Sequence, residues 1–265
     1  MKILYISPTG RSLYIEKMAR VIEHARRPDT IVDFVGLPAG RPTHLEYHTY
    51  EALVLGDLVK IVRDCAGEYD AIISGGYYDV GMRALREISG KAVVVGPCQA
   101  TTAIAATLGN TFSVVVGRPK WINRMSENVR LYGHGDRMVS MRAADLGVHD
   151  FQNRPDAAEL IMATSRRCVE EDHAEVLILG CTVEFGFSDC MQRELGVPVI
   201  EAIPAALKYA EMLADSAHRF EWYPSRKWGS EAPPESEIAE WKLFRDPPPK
   251  GRTLRVGEPI QTKLA

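Results

Sequence analysis

Several features that would assign the chain to a particular class of protein are absent. No apolar run approaches the ~18 residues of a membrane span. The opening segment, MKILYISPTG, has one lysine and breaks its apolar run too soon for a secretory signal. Five cysteines, an odd number without CxxC spacing, indicate neither a disulfide framework nor a zinc ribbon. We therefore expect a cytoplasmic protein with reduced thiols and no membrane partner.

Neither sign of charge predominates. The 32 basic and 35 acidic residues give a net charge of −3, which offers no electrostatic basis for binding nucleic acid. The 265 residues, of which 46% are hydrophobic, suffice for one large core or for two domains of roughly 100–120 residues each. The expected partner is a small-molecule substrate rather than nucleic acid or a membrane.

Short apolar runs alternate along the chain with stretches in which apolar residues recur every three or four positions. This alternation predicts βαβ units and an α/β fold with parallel sheets. The runs have the length and β-branched content of buried parallel strands, and they lie at 2–7, 30–36, 70–76, 91–96, 111–117, 175–180 and 197–202.

The two halves of the chain resemble each other when one is shifted by 105 positions. IISGGYYDVG (72–81) then aligns with LILGCTVEFG (177–186), and the alignment continues without a gap from 91–103 onto 196–208. It pairs Gly75 with Gly180, Gly76 with Cys181, Asp79 with Glu184 and Gly81 with Gly186. The alternative is a chance similarity between two strand–turn–helix units.

The repeat predicts two pseudo-symmetric α/β domains, approximately 1–105 and 106–218, with the active site in a cleft between them; the C-terminal helix of the second could cross back to the first. Ligands of open parallel sheets bind beyond the carboxyl ends of the strands, so the two equivalent loops would serve one shared site.

Residues 219–265 contain seven of the 16 prolines and three of the four tryptophans, and we predict an extended tail without a strand. Its tryptophans favour packing either on the body or on a second subunit of a homo-oligomer; the alternative is a mobile tail.

Cys181 is the first candidate for a catalytic group. It lies where a strand meets a turn, and we predict that a helix begins there, so that the helix dipole favours the thiolate. A thiolate can act as a nucleophile or as a base. The alternative is a small buried hydrophobic residue.

The segments 177–213 and 70–88, together with the N-terminal strand and its SPTG sequence, resemble the Asp/Glu racemase superfamily, and its hydantoin racemase branch in particular. The resemblance covers about residues 1–215. It implies two pseudo-symmetric α/β domains, no metal and no organic cofactor. It also implies two cysteines on opposite faces of the substrate α-carbon, of which one removes a proton and the other returns it.

The sequence departs from this pattern at one of the two cysteines. The second-domain cysteine corresponds to Cys181, but the first corresponds to Gly76, which has no side chain to carry a proton. Arylmalonate decarboxylases resemble this arrangement because they retain only the second cysteine, with glycine at the first. The missing acid or base could come from Tyr77, Tyr78 or Cys98, although packing in the core is the alternative for each.

Further residues are predicted to contact the substrate. The side chains and N–H groups of Ser7, Thr9 and Gly10, in a predicted strand-to-helix turn, could bind a carboxylate or imide oxygen, or could merely cap the helix. The backbone around Gly75 and Gly76 and that around Thr182 and Val183 would contribute oxyanion donors. The paired acids Asp79 and Glu184 are expected either to cap neighbouring helices or to orient the site.

Three functions follow. The first is a cofactor-independent, hydantoin racemase-like enzyme that acts on a carbon acid through the Cys181 thiol. The second is a decarboxylase or lyase, or an isomerase or hydrolase in which the Cys181 thiolate attacks its substrate covalently. The third is a protein that binds a small ligand without catalysis.

Overall fold

The computed structural model describes residues 1–11 and 13–257, and the chain forms two compact units. The first comprises Met1–Gly75, Val80–Val95 and the chain from Leu207 onward, and the second comprises Gly76–Asp79 and Gly96–Ala206. The predicted boundary at residue 105 therefore differs from the observed one. The chain leaves the first unit directly after a short strand, so the helix that follows, predicted to close the first domain, belongs to the second unit.

The first unit is built on a five-stranded sheet in the order β4-β3-β1-β2-β9. All neighbouring strands are parallel except β9, which pairs antiparallel with β2. The strands are β1 (Lys2–Gly10), β2 (Ile31–Leu37), β3 (Ala71–Ser74), β4 (Val93–Val95) and β9 (Thr253–Val256). The helices are α1 (Ile15–Ala25), α2 (His48–Cys65), α3 (Met82–Ile88), α10 (Glu235–Trp241) and most of α9 (Ala202–Phe220).

The second unit is built on a four-stranded parallel sheet in the order β6-β5-β7-β8. Its strands are β5 (Phe112–Val116), β6 (Met138–Ala143), β7 (Val176–Leu179) and β8 (Val199–Glu201). Its helices are α4 (Pro97–Leu108), α5 (Ile122–Leu131), α6 (Asp150–Asn153), α7 (Ala157–Glu170) and α8 (Ser188–Leu195), followed by the first residues of α9.

The internal repeat is visible in the topology of the two sheets. The order β4-β3-β1-β2 in the first unit corresponds to β8-β7-β5-β6 in the second, strand for strand. The bounds of β3 and β7 differ by 105 positions, which is the shift found in the sequence. The prediction of an α/β fold with two related parallel sheets is confirmed.

All seven predicted strands are present, but two strands and three short helices were missed. Strand β6, MVSMRA, lies at the edge of its sheet and is only partly buried, so it lacks the apolar run that marks a central strand. The missed helices, α6, α8 and α10, have four, eight and seven residues, too few for a clear periodic pattern. None of the helices among the described residues is both long and apolar enough to cross a membrane.

The prediction of an extended tail from residue 219 is wrong. Helix α9 continues to Phe220, and the segment beyond it contributes α10 and β9 to the first unit. The tryptophans are mostly exposed rather than packed in the body, since Trp222, Trp228 and Trp241 are 69%, 89% and 60% exposed, although the Trp222 ring lies 5.1 Å from that of Phe220.

Basic residues attach this C-terminal segment to the first unit instead. Arg226 donates hydrogen bonds to the carbonyl oxygens of Arg86, in the last turn of helix α3, and of Gly90, just beyond that helix. Farther along, Lys250 pairs with Asp64, Arg252 with Glu16 and Arg255 with Asp33.

Asp33 gives a test of this attachment. Burial alone would raise its pKa, but hydrogen bonds from Arg255 (2.6 and 2.7 Å) and from the Tyr69 hydroxyl (2.9 Å) outweigh burial and lower it. Asp33→Asn should therefore destabilise the protein at pH 7 by about 1 kcal/mol, since Arg255 is largely exposed and solvent screens the pair.

Because the pKa of Asp33 is lowered on folding, this contribution is fully present above the ordinary carboxyl value and is lost as the pH falls from that value through the lowered one. Urea unfolding should therefore show a smaller difference between the wild type and Asp33→Asn at pH 3 than at pH 7. Asp29→Asn, which removes an exposed ion pair with Arg27, is the matched control and should have little effect. A difference that is undiminished at pH 3 would contradict the prediction.

Candidate active site

Each repeat has a glycine directly after its strand, at a point where the neighbouring strand comes very close. The Gly75 N–H donates to the Ile6 carbonyl oxygen (2.8 Å), and the Gly180 N–H donates to that of Val115 (2.7 Å). A Cβ on Gly180 would lie 2.7 Å from the Val115 carbonyl oxygen, and one on Gly75 would lie 2.4 Å from the Tyr5 ring. Both positions require glycine for packing, which explains Gly75 without a substrate.

The same turn follows each of these glycines. In the first repeat the Asp79 N–H donates to the Gly76 carbonyl oxygen (2.8 Å), and in the second the Glu184 N–H donates to that of Cys181 (3.1 Å). The residues paired by the sequence repeat thus occupy equivalent positions in two four-residue turns. We call them the first turn (76–79) and the second turn (181–184).

Cys181 opens the second turn, two residues beyond the end of β7, and its side chain is half-buried. Helix α8 begins only at Ser188, so the predicted stabilisation of a Cys181 thiolate by a helix N-terminus is wrong. Among the described residues, no hydrogen bond uses the N–H groups of Thr182 and Val183, which follow the thiol along the turn.

Asp79 anchors the first turn to helix α4. Its carboxylate accepts hydrogen bonds from the N–H groups of Cys98 (2.8 Å) and Gln99 (2.9 Å), and the side chain is 4% exposed. Its backbone is left-handed, with φ of +58°. The expectation that this acid caps a helix is confirmed, and the carboxylate occupies the space beside Gly96, where a Cβ would lie 2.2 Å from Asp79 Cγ.

Tyr77 and Cys98 lie together in the interior of the second unit. Burial, followed by their proximity to each other, raises the pKa of Tyr77 well above its usual value, and burial together with Asp79 does the same for Cys98. The Tyr77 hydroxyl is 3.4 Å from the Thr101 hydroxyl. Both groups hold their protons at neutral pH, which makes them unsuitable as bases. Cys98 is the second residue of α4, as predicted, but burial and Asp79 outweigh any effect of the helix dipole.

Tyr78 is explained by packing. Its ring stacks on that of Trp121, with centroids 4.8 Å apart and an angle of 7° between the planes. Its carbonyl oxygen accepts a hydrogen bond of 2.6 Å from the Asn128 side chain.

The N-terminal candidates Ser7, Thr9 and Gly10 belong to the first unit, and their secondary structure differs from the predicted strand-to-helix turn. Strand β1 continues through Ser7 and Thr9 to Gly10, with an irregularity in its pairing to β2, and helix α1 begins only at Ile15. These residues therefore form the end of a strand rather than a strand-to-helix turn. The hydroxyl groups of Ser7 and Thr9 are 3.1 Å apart, and their role as substrate contacts stays a prediction.

Two acids give the second turn a character of its own. Glu201, at the end of β8, accepts hydrogen bonds from the N–H groups of Gly186, Phe187 and Ser188 (2.8, 3.0 and 3.1 Å) and so holds the start of α8. Glu184 is fully buried, and neither of its carboxyl oxygens has a hydrogen-bond partner among the described residues. Glu201 was missed, although the repeat pairs it with Gly96 and thereby marks it as an added acid.

Comparison with known proteins points to one family. The profile of the Asp/Glu/hydantoin racemase family matches residues 3–210. A hydantoin racemase from Pseudomonas sp. is 32% identical over 217 residues, which cover 81% of this chain and 86% of that protein. The chain belongs to the Asp/Glu/hydantoin racemase family.

Solved structures related to this racemase family share its fold. Allantoin racemase from Pseudomonas fluorescens superposes with a TM-score of 0.79 at 27% identity, covering 88% of this chain and 97% of that one. A Gly→Cys, Cys→Ser double variant of arylmalonate decarboxylase superposes with a TM-score of 0.59 at 17% identity, covering 80% and 92%. Within the described part of this racemase-family chain, no group of three or more His, Cys, Asp or Glu side chains is arranged to hold a metal ion.

The contact between Asp79 and Gly96 gives a second test. Gly96→Ala should push the Asp79 carboxylate away from the start of α4, because Gly96 itself has an ordinary backbone (φ of −106°) and only the new methyl group collides. We expect a loss of about 2–4 kcal/mol in the free energy of unfolding.

The same substitution in an Asp79→Gly background separates the collision from other effects. There the carboxylate is absent, so the further cost of Gly96→Ala should fall below about 1 kcal/mol. Chemical denaturation of the wild type, both single variants and the double variant measures this. Additive effects of the two substitutions would mean that the collision is not the cause.

Proposed function

We propose that this protein catalyses proton transfer at the α-carbon of a small cyclic amide of the hydantoin type, with Cys181 as the proton-carrying group on one face. The observation that carries the proposal is the state of the Cys181 thiol. Cys65, Cys98 and Cys168 are buried, and Cys190 is exposed on α8, whereas Cys181 is half-buried in the turn beyond β7. Relatives named for racemising hydantoin and allantoin support this substrate class.

The proposed step is the removal of a proton from a carbon next to a carbonyl group. The Cys181 thiolate takes the α-proton and becomes a thiol, while the electron pair of the C–H bond moves into an enolate. The N–H groups of Thr182 and Val183 are the proposed donors to the enolate oxygen, since developing charge is stabilised best by donors already in place.

A proton must then return to the opposite face of the α-carbon, and Gly76 has no side chain that could donate it. We assign this step to the hydroxyl group of Tyr77, which follows Gly76 in the first turn and whose raised pKa keeps its proton in place. The tyrosinate left by this step must regain a proton, and the Cys181 thiol must lose one, before the next turnover in the same direction. A phenol so buried is a poor base, so we expect the reverse direction, in which Tyr77 removes the α-proton, to be slow and the racemisation to be slower than one between two thiols.

A second candidate is decarboxylation, in which Cys181 alone protonates a carbanion left by loss of CO2. The absence of a thiol at Gly76 favours this candidate, because a one-sided protonation needs no second acid. A family member that binds a ligand without catalysis would have no use for the thiol.

The experiment is incubation in D2O with 5-substituted hydantoins, allantoin and arylmalonates, followed by NMR. Deuterium at the α-carbon of unchanged substrate supports proton exchange and racemisation. Product without exchange into the remaining substrate supports decarboxylation. If no compound in the panel shows either deuterium exchange or product formation, the proposal is contradicted.

Substitution of two cysteines in the same unit tests the role of Cys181. Cys181→Ala should reduce the reaction at least about 10³-fold, because Cys65, Cys98 and Cys168 are buried and the exposed Cys190 lies outside the second turn. Cys190→Ala, which changes an exposed thiol nine positions away, is the control and should stay within about twofold of the wild type. Exchange that survives Cys181→Ala would contradict the assignment.

Gly76→Cys tests the vacant position. If the second thiol is what the racemase mechanism lacks here, Gly76→Cys should raise the rate of racemisation by about tenfold or more, as followed by polarimetry. The double variant Gly76→Cys, Cys181→Ser should lose that gain. No gain in a folded variant that still binds the compound would count against the correspondence between Gly76 and the first cysteine.

A further inference from the structure

The buried carboxyl group of Glu184 is unexplained by packing or by the mechanism above. Its side chain is fully inaccessible to solvent, and neither oxygen has a hydrogen-bond partner of good geometry among the described residues, since the nearby Gly180 N–H donates to Val115. A polar group in this state destabilises a fold, and an apolar side chain of similar size would avoid that cost. Orphaned groups of this kind occur mainly where a function retains them.

The internal repeat shows why Glu184 has no structural task. Its counterpart Asp79 holds the N–H groups of Cys98 and Gln99 at the start of α4. The residues 105 positions farther along are Ile203 and Pro204, and proline has no N–H to donate.

The task of holding N–H groups passes to another acid in the second repeat. Glu201 accepts three hydrogen bonds from residues 186–188, so the start of α8 is held without Glu184. The carboxyl group of Glu184 is therefore free of the anchoring role that its counterpart performs.

Glu184 instead shares a turn with the proposed catalytic thiol. Cys181 and Glu184 are the first and last residues of the second turn, with a hydrogen bond of 3.1 Å between their backbones. The ends of such a turn lie within about 7 Å of each other at the Cα atoms. Two negative charges carried by the ends of one such turn in the interior of a protein would oppose each other.

We propose that Glu184 is a positioning residue for Cys181. The charge state of the Glu184 carboxyl group controls, through space rather than by contact, how readily the Cys181 thiolate forms. The inference rests on the proposed role of Cys181. While the carboxyl group is neutral, the second turn carries no negative charge of its own and the thiolate can form. Once Glu184 ionises, the thiolate is opposed.

The surroundings of Glu184 favour its neutral form. Burial is the main cause that raises its pKa well above the usual value, and the Glu201 carboxylate adds to it, while the Gly180 N–H opposes both. Tyr77, in the first turn, faces the same region and is also an acid. From α6, Gln152 holds the carbonyl oxygens of Val183 and Phe185 and carries no charge.

The test follows the ionisation of Cys181 directly and needs no substrate. The parent protein for this test carries Cys190→Ser, which removes the exposed thiol from the proteolytic peptide that contains Cys181. The rate at which iodoacetamide alkylates Cys181 is then measured against pH by mass spectrometry. Compared with the Glu184→Gln variant, we expect the alkylation curve of the Cys190→Ser parent to be displaced to higher pH by roughly one unit, or to be broader than a one-proton transition. Glu184→Gln should give a single transition at lower pH.

Glu194→Gln is the matched control, because Glu194 is an exposed carboxylate on α8 that pairs with Arg166. Its alkylation curve should coincide with that of the parent. Superimposable curves for the parent and Glu184→Gln would overturn the inference. Glu184→Leu provides a second uncharged variant should the amide fail to fold.

A second measurement uses stability. Because folding raises the pKa of Glu184, its neutral form is compatible with the fold at low pH, and stability is lost as the pH rises above the ordinary carboxyl value toward the raised one. Glu184→Gln should therefore unfold at a higher temperature than the parent at pH 8 and at a similar temperature at pH 4. Equal unfolding temperatures at pH 8 would contradict a buried titrating carboxyl group.

Failure of the proposed function would look different. If Cys181→Ala kept full exchange activity while Glu184→Gln still shifted the alkylation curve, the catalytic assignment would fall. The electrostatic coupling between Glu184 and Cys181 would stand.

Discussion

The close approach of two backbones at the end of β7 determines where the thiol can be. Gly180 lies so close to β5 that no side chain fits there, and this position therefore requires glycine. Its N–H is bound to the carbonyl oxygen of Val115, which extends the sheet by one more hydrogen bond before the chain turns. Cys181 then lies just beyond a strand end that the sheet holds in place, which favours the acid–base role proposed for it.

The two repeats solve the same structural problem with acids in different places. In the first, a short side chain in the turn, Asp79, reaches the helix that follows the next strand. In the second, Glu201 at the strand end reaches back to the loop after the turn. This exchange of roles removes the anchored charge from the turn that bears the thiol. It also leaves a fixed carboxylate in the turn where the thiol is replaced by Gly76.

The sequence pattern predicted most of the fold because the central strands are continuous apolar runs and the repeat is gap-free over two of them. The family resemblance and the choice of Cys181 as the candidate thiol came from the same segment, 177–213. Strand β6 was not predicted because an edge strand needs no continuous apolar run. Strand β9 was not predicted because its partner β2 lies more than 200 positions away. The stabilisation expected for the Cys181 thiolate failed for a local reason, since the turn inserts six residues between the thiol and α8.

Buried polar groups set the limit of prediction at the site. Nothing in the local sequence distinguishes Asp79, whose carboxylate finds two donors, from Glu184, whose carboxyl group finds none. That difference depends on Pro204 and Glu201, which are contributed by a later strand and helix. Tyr77 and Cys98 illustrate the same limit, because their burial follows from the packing of α4 rather than from their own neighbours in the chain.

Strand β9 has a consequence for the order in which the protein is assembled on the ribosome. It pairs Val256 with Val32, so the first unit contains residues from both ends of the chain. The second unit is complete once residue 206 has been synthesised, while the sheet of the first unit still lacks its antiparallel edge. Until β9 emerges, β2 presents an unpaired edge to other nascent chains, and such edges are sites of mispairing. The basic residues in and before β9 then attach it to the first unit.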